Sequence, residues 1–189
     1  MTPAPISVEQ ATQALRSVLD PETGRDLVTE GWVRKVRVEP ADGGLTDISL
    51  DVELGYPARS LLDGLRRQVI SALRALPGVG NVSANVSQKI VAHSVQRGVK
   101  LLPGVRNVIA VASGKGGVGK STTTVNLALA LAAEGASVGV LDADIYGPSI
   151  PMMLGISGRP VSEDGKTIEP MQGLGLQAAS IGFLIEMDT

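Results

Sequence analysis

Residues 114–121 read Gly114-Lys115-Gly116-Gly117-Val118-Gly119-Lys120-Ser121. Four glycines in eight positions cannot sit inside a helix or a strand without a cost of roughly 0.5–1 kcal/mol each relative to alanine. The segment is therefore a loop, and its flanks say which kind. Residues 107–112 (NVIAVA) are nearly all apolar, as expected of a strand covered on both faces. Residues 121–134 carry Val125, Leu127, Leu129 and Leu131 among alanines, a helix that Gly135 ends. Residues 137–141 (SVGVL) then predict another buried strand, closed by Asp142 and Asp144. Strand, glycine loop, helix, strand is the first unit of a parallel α/β sheet.

A loop of this composition suits phosphate. Gly114, Gly116, Gly117 and Gly119 admit unusual dihedrals and let backbone N–H groups converge on oxygens. The following helix aims its N-terminus at the same place. The pattern G-x-x-x-x-G-K-S places Lys120 to reach the β- and γ-phosphates and the Ser121 hydroxyl to bind Mg²⁺. Val118 completes the loop, and Thr122 adds a hydroxyl near the α-phosphate. Lys115 is unusual, because the intervening positions of such a loop need no charge. Asp142 and Asp144 fall at the carboxyl edge of a strand, where open α/β sheets bind ligands. A carboxylate there can hold Mg²⁺ through water or orient an attacking water. The alternative, weaker for Asp144 than for Asp142, is that they cap a helix or a turn.

The first half of the chain has a different rhythm. Ser7 and Gln10 form a capping box, and Val8, Ala11, Leu15 and Val18 continue at helical spacing until Pro21. Residues 31–38 read as a strand and 39–44 (EPADGG) as a turn. In 47–54, Ile48, Leu50, Val52 and Leu54 alternate with polar residues, the mark of a half-buried strand. A helix over about 58–76 carries Leu62, Leu65, Val69, Leu73 and Leu76 on one stripe and stops at Pro77-Gly78. Val82, Ala84 and Val86 alternate in a third strand. The order α-β-β-α-β predicts a small domain over 1–88. Residues 89–106, broken by Gly98, Pro103 and Gly104, read as a linker with one helical stretch, and 107–189 begin the parallel sheet. Later, Asp164-Gly165 suggests a turn and 174–180 a further strand.

Composition narrows the partners. The net charge of −2 gives no electrostatic reason for nucleic-acid or membrane binding. The longest apolar runs fall short of the ~20 residues that span a bilayer. The N-terminus lacks the regions of a signal peptide, which makes the cytoplasm the default. Aromatic residues are 2% of the chain, so its cores must be aliphatic. There is no cysteine, which excludes disulfides and thiolate metal ligands within these residues. His93 is the only histidine and is a poor metal site alone. Trp32 and Tyr56 suit the small core. Arg66 and Arg67, with Arg59 and Arg74, suit a solvated helix face.

The GKGGVGKS form resembles the deviant phosphate loop of the ParA, MinD and nitrogenase-reductase ATPases. The resemblance implies that Lys115 crosses a dimer interface to the partner's nucleotide, that Asp144 holds the attacking water, and that Asp142 serves Mg²⁺ from the outer shell. Leu141–Gly155 (LDADIYGPSIPMMLG) resembles the Mrp family of iron–sulfur cluster carrier ATPases, and the likeness continues back through 89–132. The first 88 residues are similar to the PaaD-like domain that many bacterial members carry. The family resemblance implies ATP and Mg²⁺ as ligands, a homodimer, apoprotein acceptors, and a cluster bound through cysteines beyond these residues. Tyr56 stands before Pro57 where many relatives have cysteine, which points to a docking or structural role for the small domain. The family's C-x-x-C and its D-x-P-P-G-T-G-D segment are absent, so the chain reads as the N-terminal part of a longer protein. Tyr146, Pro148 and Pro151 fit a switch-like segment. Two rivals share the loop: a partitioning or positioning ATPase of the ParA/MinD kind, and a non-catalytic nucleotide-binding and interaction module.

Overall fold

The chain divides into two compact units, Met1–Ala92 and His93–Thr189. A computed structural model describes residues 5–93 and 102–185. The expected linker helix falls partly on 94–101, Gly98 included, and so lies outside the described residues.

The first unit opens with helix α1, Val8–Leu15. Its start is the expected capping box: Ser7 Oγ accepts from the Gln10 amide at 3.2 Å, and Gln10 Oε1 accepts from the Ser7 amide at 2.9 Å. It ends well before Pro21. Ser17 Oγ donates to the Ala14 carbonyl at 2.7 Å and the Val18 amide to the Leu15 carbonyl, tightening the last turn out of the helix. Pro21 instead sits in a turn around Asp20, whose carboxylate accepts from the amides of Glu22 and Thr23. Strand β1 spans Val33–Pro40, with a register shift between Arg34 and Arg37 and a left-handed Lys35 at φ 48°. There Lys35 Nζ meets Asp51 Oδ2 at 2.9 Å, and that contact holds the Asp51 carboxyl below the usual range.

Strand β2 spans Thr46–Leu54, helix α2 Leu62–Arg74 and strand β3 Val79–Gln88. The sheet order is β1-β2-β3, antiparallel then parallel, so α2 is the crossover between two parallel neighbours. The alternation of β2 is realised in full: Ile48, Leu50, Val52 and Leu54 are buried with Thr46. They pack with Ala11, Leu15, Leu65, Val69 and Leu73 in one aliphatic core. Helix α2 starts four residues later than expected, because the Ala58 amide donates to Gln88 Oε1 at 2.7 Å and holds 58–61 as a turn.

Trp32 and Tyr56 border this core with ring centroids 5.5 Å apart. The Tyr56 hydroxyl donates to Asp20, whose side chain is fully buried. Burial first, and the neighbouring Asp20 carboxylate second, push the Tyr56 hydroxyl well above its ordinary value of 10.0. Because the folded value is raised, this contribution to stability is complete below pH 10 and declines as pH rises further. Tyr56→Phe removes one of Asp20's three donors and is expected to cost about 1–3 kcal/mol in urea unfolding. The same substitution should flatten the alkaline loss of stability.

The second unit holds helix α3, Lys120–Ala133, and the short strand β4, Gly139–Leu141. Helix α4, Ile150–Leu154, and strands β5, Met171–Gly173, and β6, Leu176–Ala179, complete it. Its sheet order is β4-β6-β5, with β4 parallel to β6 and β5 antiparallel. The chain is thus mixed α/β with two small sheets. The strand expected over 174–180 is the second arm of a hairpin. Leu174 and Gly175 both have positive φ, 53° and 76°, the requirement of the tight turn that matches strand twist. The Asp164 turn forms as expected. The amides of Thr167 and Lys166 donate to its carboxylate and hold it at about 2.

Two expectations for this unit are corrected. Residues 107–112 form no strand, and Val108 and Ile109 are 73% and 60% exposed. An apolar run becomes a buried strand only if neighbours take its ladder hydrogen bonds, and among the described residues none pairs with it. In 137–141 only 139–141 is strand, and Leu141 is 76% exposed while Val140 is buried. The unit's core is Val125, Ala128, Val140, Ile150, Leu154, Leu176, Ala178 and Phe183. Much apolar surface lies outside it, including Val108, Leu141, Ile145 and Met152. Exposed patches of this kind bind other apolar surfaces. The second unit of this 189-residue chain is therefore expected to bind an apolar dye and melt without a sharp transition, while the first unit melts cooperatively. Calorimetry with parallel dye fluorescence checks this.

Candidate nucleotide-binding site

The site is built on the loop that opens α3. Gly117 and Gly119 have φ of 72° and 85°, values that L side chains rarely adopt. Gly119 is the residue before the helix, and its carbonyl accepts the Thr123 amide at 2.9 Å. A Cβ added at Gly114, Gly116, Gly117 or Gly119 would meet nothing within 4 Å, so the loop is open to a bulky guest. The amides of Gly116, Gly117 and Gly119 donate to no acceptor among the described residues. The first turn of α3 presents further N–H groups free of intrahelical partners. Open space, converging donors and a helix N-terminus fit a polyphosphate.

The two lysines of the loop are brought together. Lys120 Nζ lies 3.5 Å from the Lys115 carbonyl, so its side chain folds back over the loop. The Lys115 amide is held by Ser113 Oγ at 3.1 Å, and the Lys115 side chain is exposed. Ser121 is half-buried at the start of α3, and Thr122 is exposed beside it. Deeper in the helix, Thr124 Oγ1 donates to the Lys120 carbonyl at 2.9 Å and Asn126 Nδ2 to that of Thr122.

Asp142 and Asp144 leave the end of β4, as the D-x-D spacing implies. They differ in environment. Asp142 is 9% exposed, and its Oδ2 accepts from the amides of Ser149 and Ile150 and from Ser180 Oγ, at 3.1, 3.2 and 3.2 Å. Its Oδ1 accepts the Asp144 amide at 3.1 Å. Asp142 is thus the clamp of the 143–150 loop, the capping role that spacing alone left open. Asp144 is exposed and, among the described residues, accepts the Gly147 amide alone, at 3.1 Å. Among the described residues no hydrogen bond or ion pair joins this pair to the glycine loop. Tyr146 is fully exposed, whereas Pro148 and Pro151 are buried. The contribution of Ser180 was not expected. A small hydroxyl residue just past an apolar strand, at the same sheet edge as D-x-D, is the signal that could have found it.

Two family models match the chain. Residues 104–189 match ParA, described as NUBPL iron-transfer P-loop NTPase, and residues 9–86 match an iron-sulfur cluster assembly protein model. Over residues 104–189 the chain is similar to the iron-transfer P-loop NTPase family. Among curated relatives of this family, an iron-sulfur cluster carrier protein of Synechocystis is 40% identical over 97% of this chain and 52% of its own length. The iron-sulfur cluster carrier protein of Escherichia coli is 48% identical over 75% of this chain and 39% of its own length. The chain therefore spans about half the length of the curated relatives it matches. A solved nucleotide-binding protein in complex with ADP from Archaeoglobus fulgidus is 49% identical over 39% of this chain and 31% of that chain, with a TM-score of 0.37. No helix among the described residues is long and apolar enough to cross a membrane.

Proposed function

We propose that this chain is the nucleotide-binding part of an ATP-hydrolysing iron–sulfur cluster carrier that delivers clusters to apoproteins in the cytoplasm. The observation that carries this reading is the open G-K-G-G-V-G-K-S loop at the head of α3, within a chain that matches two iron–sulfur family models. In this reading the amides of Gly116–Ser121 and the Lys120 ammonium bind the β- and γ-phosphates of ATP. Gly114 gives the loop room to turn, Val118 shapes its crest, and Thr122 reaches toward the α-phosphate. Ser121 would ligate Mg²⁺, and Asp142 would hold the ion from its outer shell. Mg²⁺, when bound, supplies charge neutralisation between the phosphates. Asp144, exposed and lightly held, orients the attacking water. Lys115 acts across a homodimer interface on the partner's nucleotide.

The proposed division of labour is a small PaaD-like domain over 1–88, a connection over 89–106, and an ATPase part from 107 onward. With no cysteine in these residues, the cluster is cargo held by thiolates elsewhere in the whole protein. The test is cluster reconstitution of the full-length protein followed by transfer to an apo-ferredoxin. Uptake and ATP-accelerated transfer are expected. A protein that takes up no cluster, or transfers it equally without nucleotide, would refute the reading.

A further inference from the structure

We infer that Ser180 and Gly182, at the far end of β6, are positioning residues for the D-x-D loop. This rests on the proposed nucleotide site. Two independent observations support it. The first is the hydrogen-bond chain. Ser180 Oγ donates to Asp142 Oδ2 at 3.2 Å and accepts the Gly182 amide at 3.1 Å, while the Asp142 amide donates to the Ala179 carbonyl at 2.9 Å. Asp142 is thereby tied to the end of β6 by side chain and backbone together. The second is packing. A Cβ on Gly182 would lie 3.1 Å from Pro151 Cγ and 3.2 Å from Pro148 Cγ. A side chain there would require one or both proline rings to give by a few tenths of an ångström.

The short helical turn Ile181–Phe183 is thus pressed against the same segment that Asp142 clamps. Phe183 anchors that turn in the unit's core. The segment Asp142–Pro151 is fixed from within by Asp142 and from outside by Ser180 and Gly182. It carries Asp144 at its exposed crest. Removing the Ser180 hydroxyl takes one of three donors from Asp142 Oδ2 and loosens the tie between the carboxylate and the end of β6.

The experiment uses the whole chain and two readouts. Hydrogen exchange of the 143–150 amides is followed without nucleotide, and the affinity for a fluorescent N-methylanthraniloyl-ATP is measured with and without Mg²⁺. In Ser180→Ala, exchange across 143–150 is expected to rise about tenfold, with α3 and the first unit unchanged. The gain in affinity on adding Mg²⁺ should largely disappear, and the affinity without Mg²⁺ should stay. Ser180→Thr, which keeps the hydroxyl, should restore both. Gly182→Ala, acting through Pro148 and Pro151, should reproduce the Ser180→Ala result.

Unchanged exchange in Ser180→Ala overturns the inference. So does raised exchange with the Mg²⁺ effect intact, which would make Ser180 merely structural. A wild-type chain that binds no nucleotide at all refutes the proposed function instead. In that case the exchange readout alone decides whether Ser180 and Gly182 hold the loop.

Discussion

In the proposed homodimeric ATPase, Lys115→Ala of the full-length protein is expected to lower ATP hydrolysis about a thousandfold or more while leaving MgATP affinity within a few-fold of the parent. The expectation follows from where the two lysines sit. Lys120 folds over the loop toward the Lys115 carbonyl and is half-buried, whereas the Lys115 side chain projects freely into solvent. A cation that faces outward does little for a nucleotide held inside its own loop. It can serve a nucleotide on a second copy, where it stabilises charge that develops only in the transition state. Cations supplied in this way to phosphoryl transfer are worth 10³–10⁵ in rate. The measurement is single-turnover hydrolysis beside equilibrium binding. A mixed dimer of Lys115→Ala and a partner disabled at Lys120 sharpens it. The only intact loop then belongs to the Lys115→Ala subunit, and the partner's Lys115 serves it, so activity should persist at about half.

Lys120→Ala is the second large effect, and it should appear as loss of binding. Among the described residues the Lys120 ammonium is the one cation held over the loop by a contact within it. In the proposed site, removing it takes away the loop's own charged hydrogen bond to the γ-phosphate. Charge-assisted hydrogen bonds contribute about 1.5–3 kcal/mol each, so one to two orders of magnitude in MgATP affinity should be lost. Lys120→Arg should rescue poorly, because a planar fork does not replace a compact ammonium in so tight a turn. Circular dichroism should be unchanged in both variants, since Lys120 takes no part in either core.

Much of the first unit was readable from period and caps alone. The S-x-x-Q capping box, the β2 alternation and the Leu65-Val69-Leu73 stripe are local patterns, and local patterns survive folding when one core absorbs them all. The departures there are also local. Ser17 and Gln88 use side chains to end α1 early and start α2 late, a competition that spacing does not reveal. The second unit was less readable because its strands depend on partners distant in sequence. Residues 107–112 carry the composition of a buried strand, yet composition does not say which strand lies beside them. The glycine loop was readable in outline because positive φ at Gly117 and Gly119 is written directly in residue type. The Asp142 clamp was not, since its donors Ser149, Ile150 and Ser180 are 7, 8 and 38 residues away.

Gly114–Ser121 is the proposed phosphate cradle of this chain. Equilibrium titration of the chain with N-methylanthraniloyl-ATP and Mg²⁺, beside its Lys120→Ala variant, tests it most directly. Saturable binding of one nucleotide per chain, weakened at least tenfold in the variant, is the predicted result. Absence of binding, or equal binding by both proteins, would contradict it.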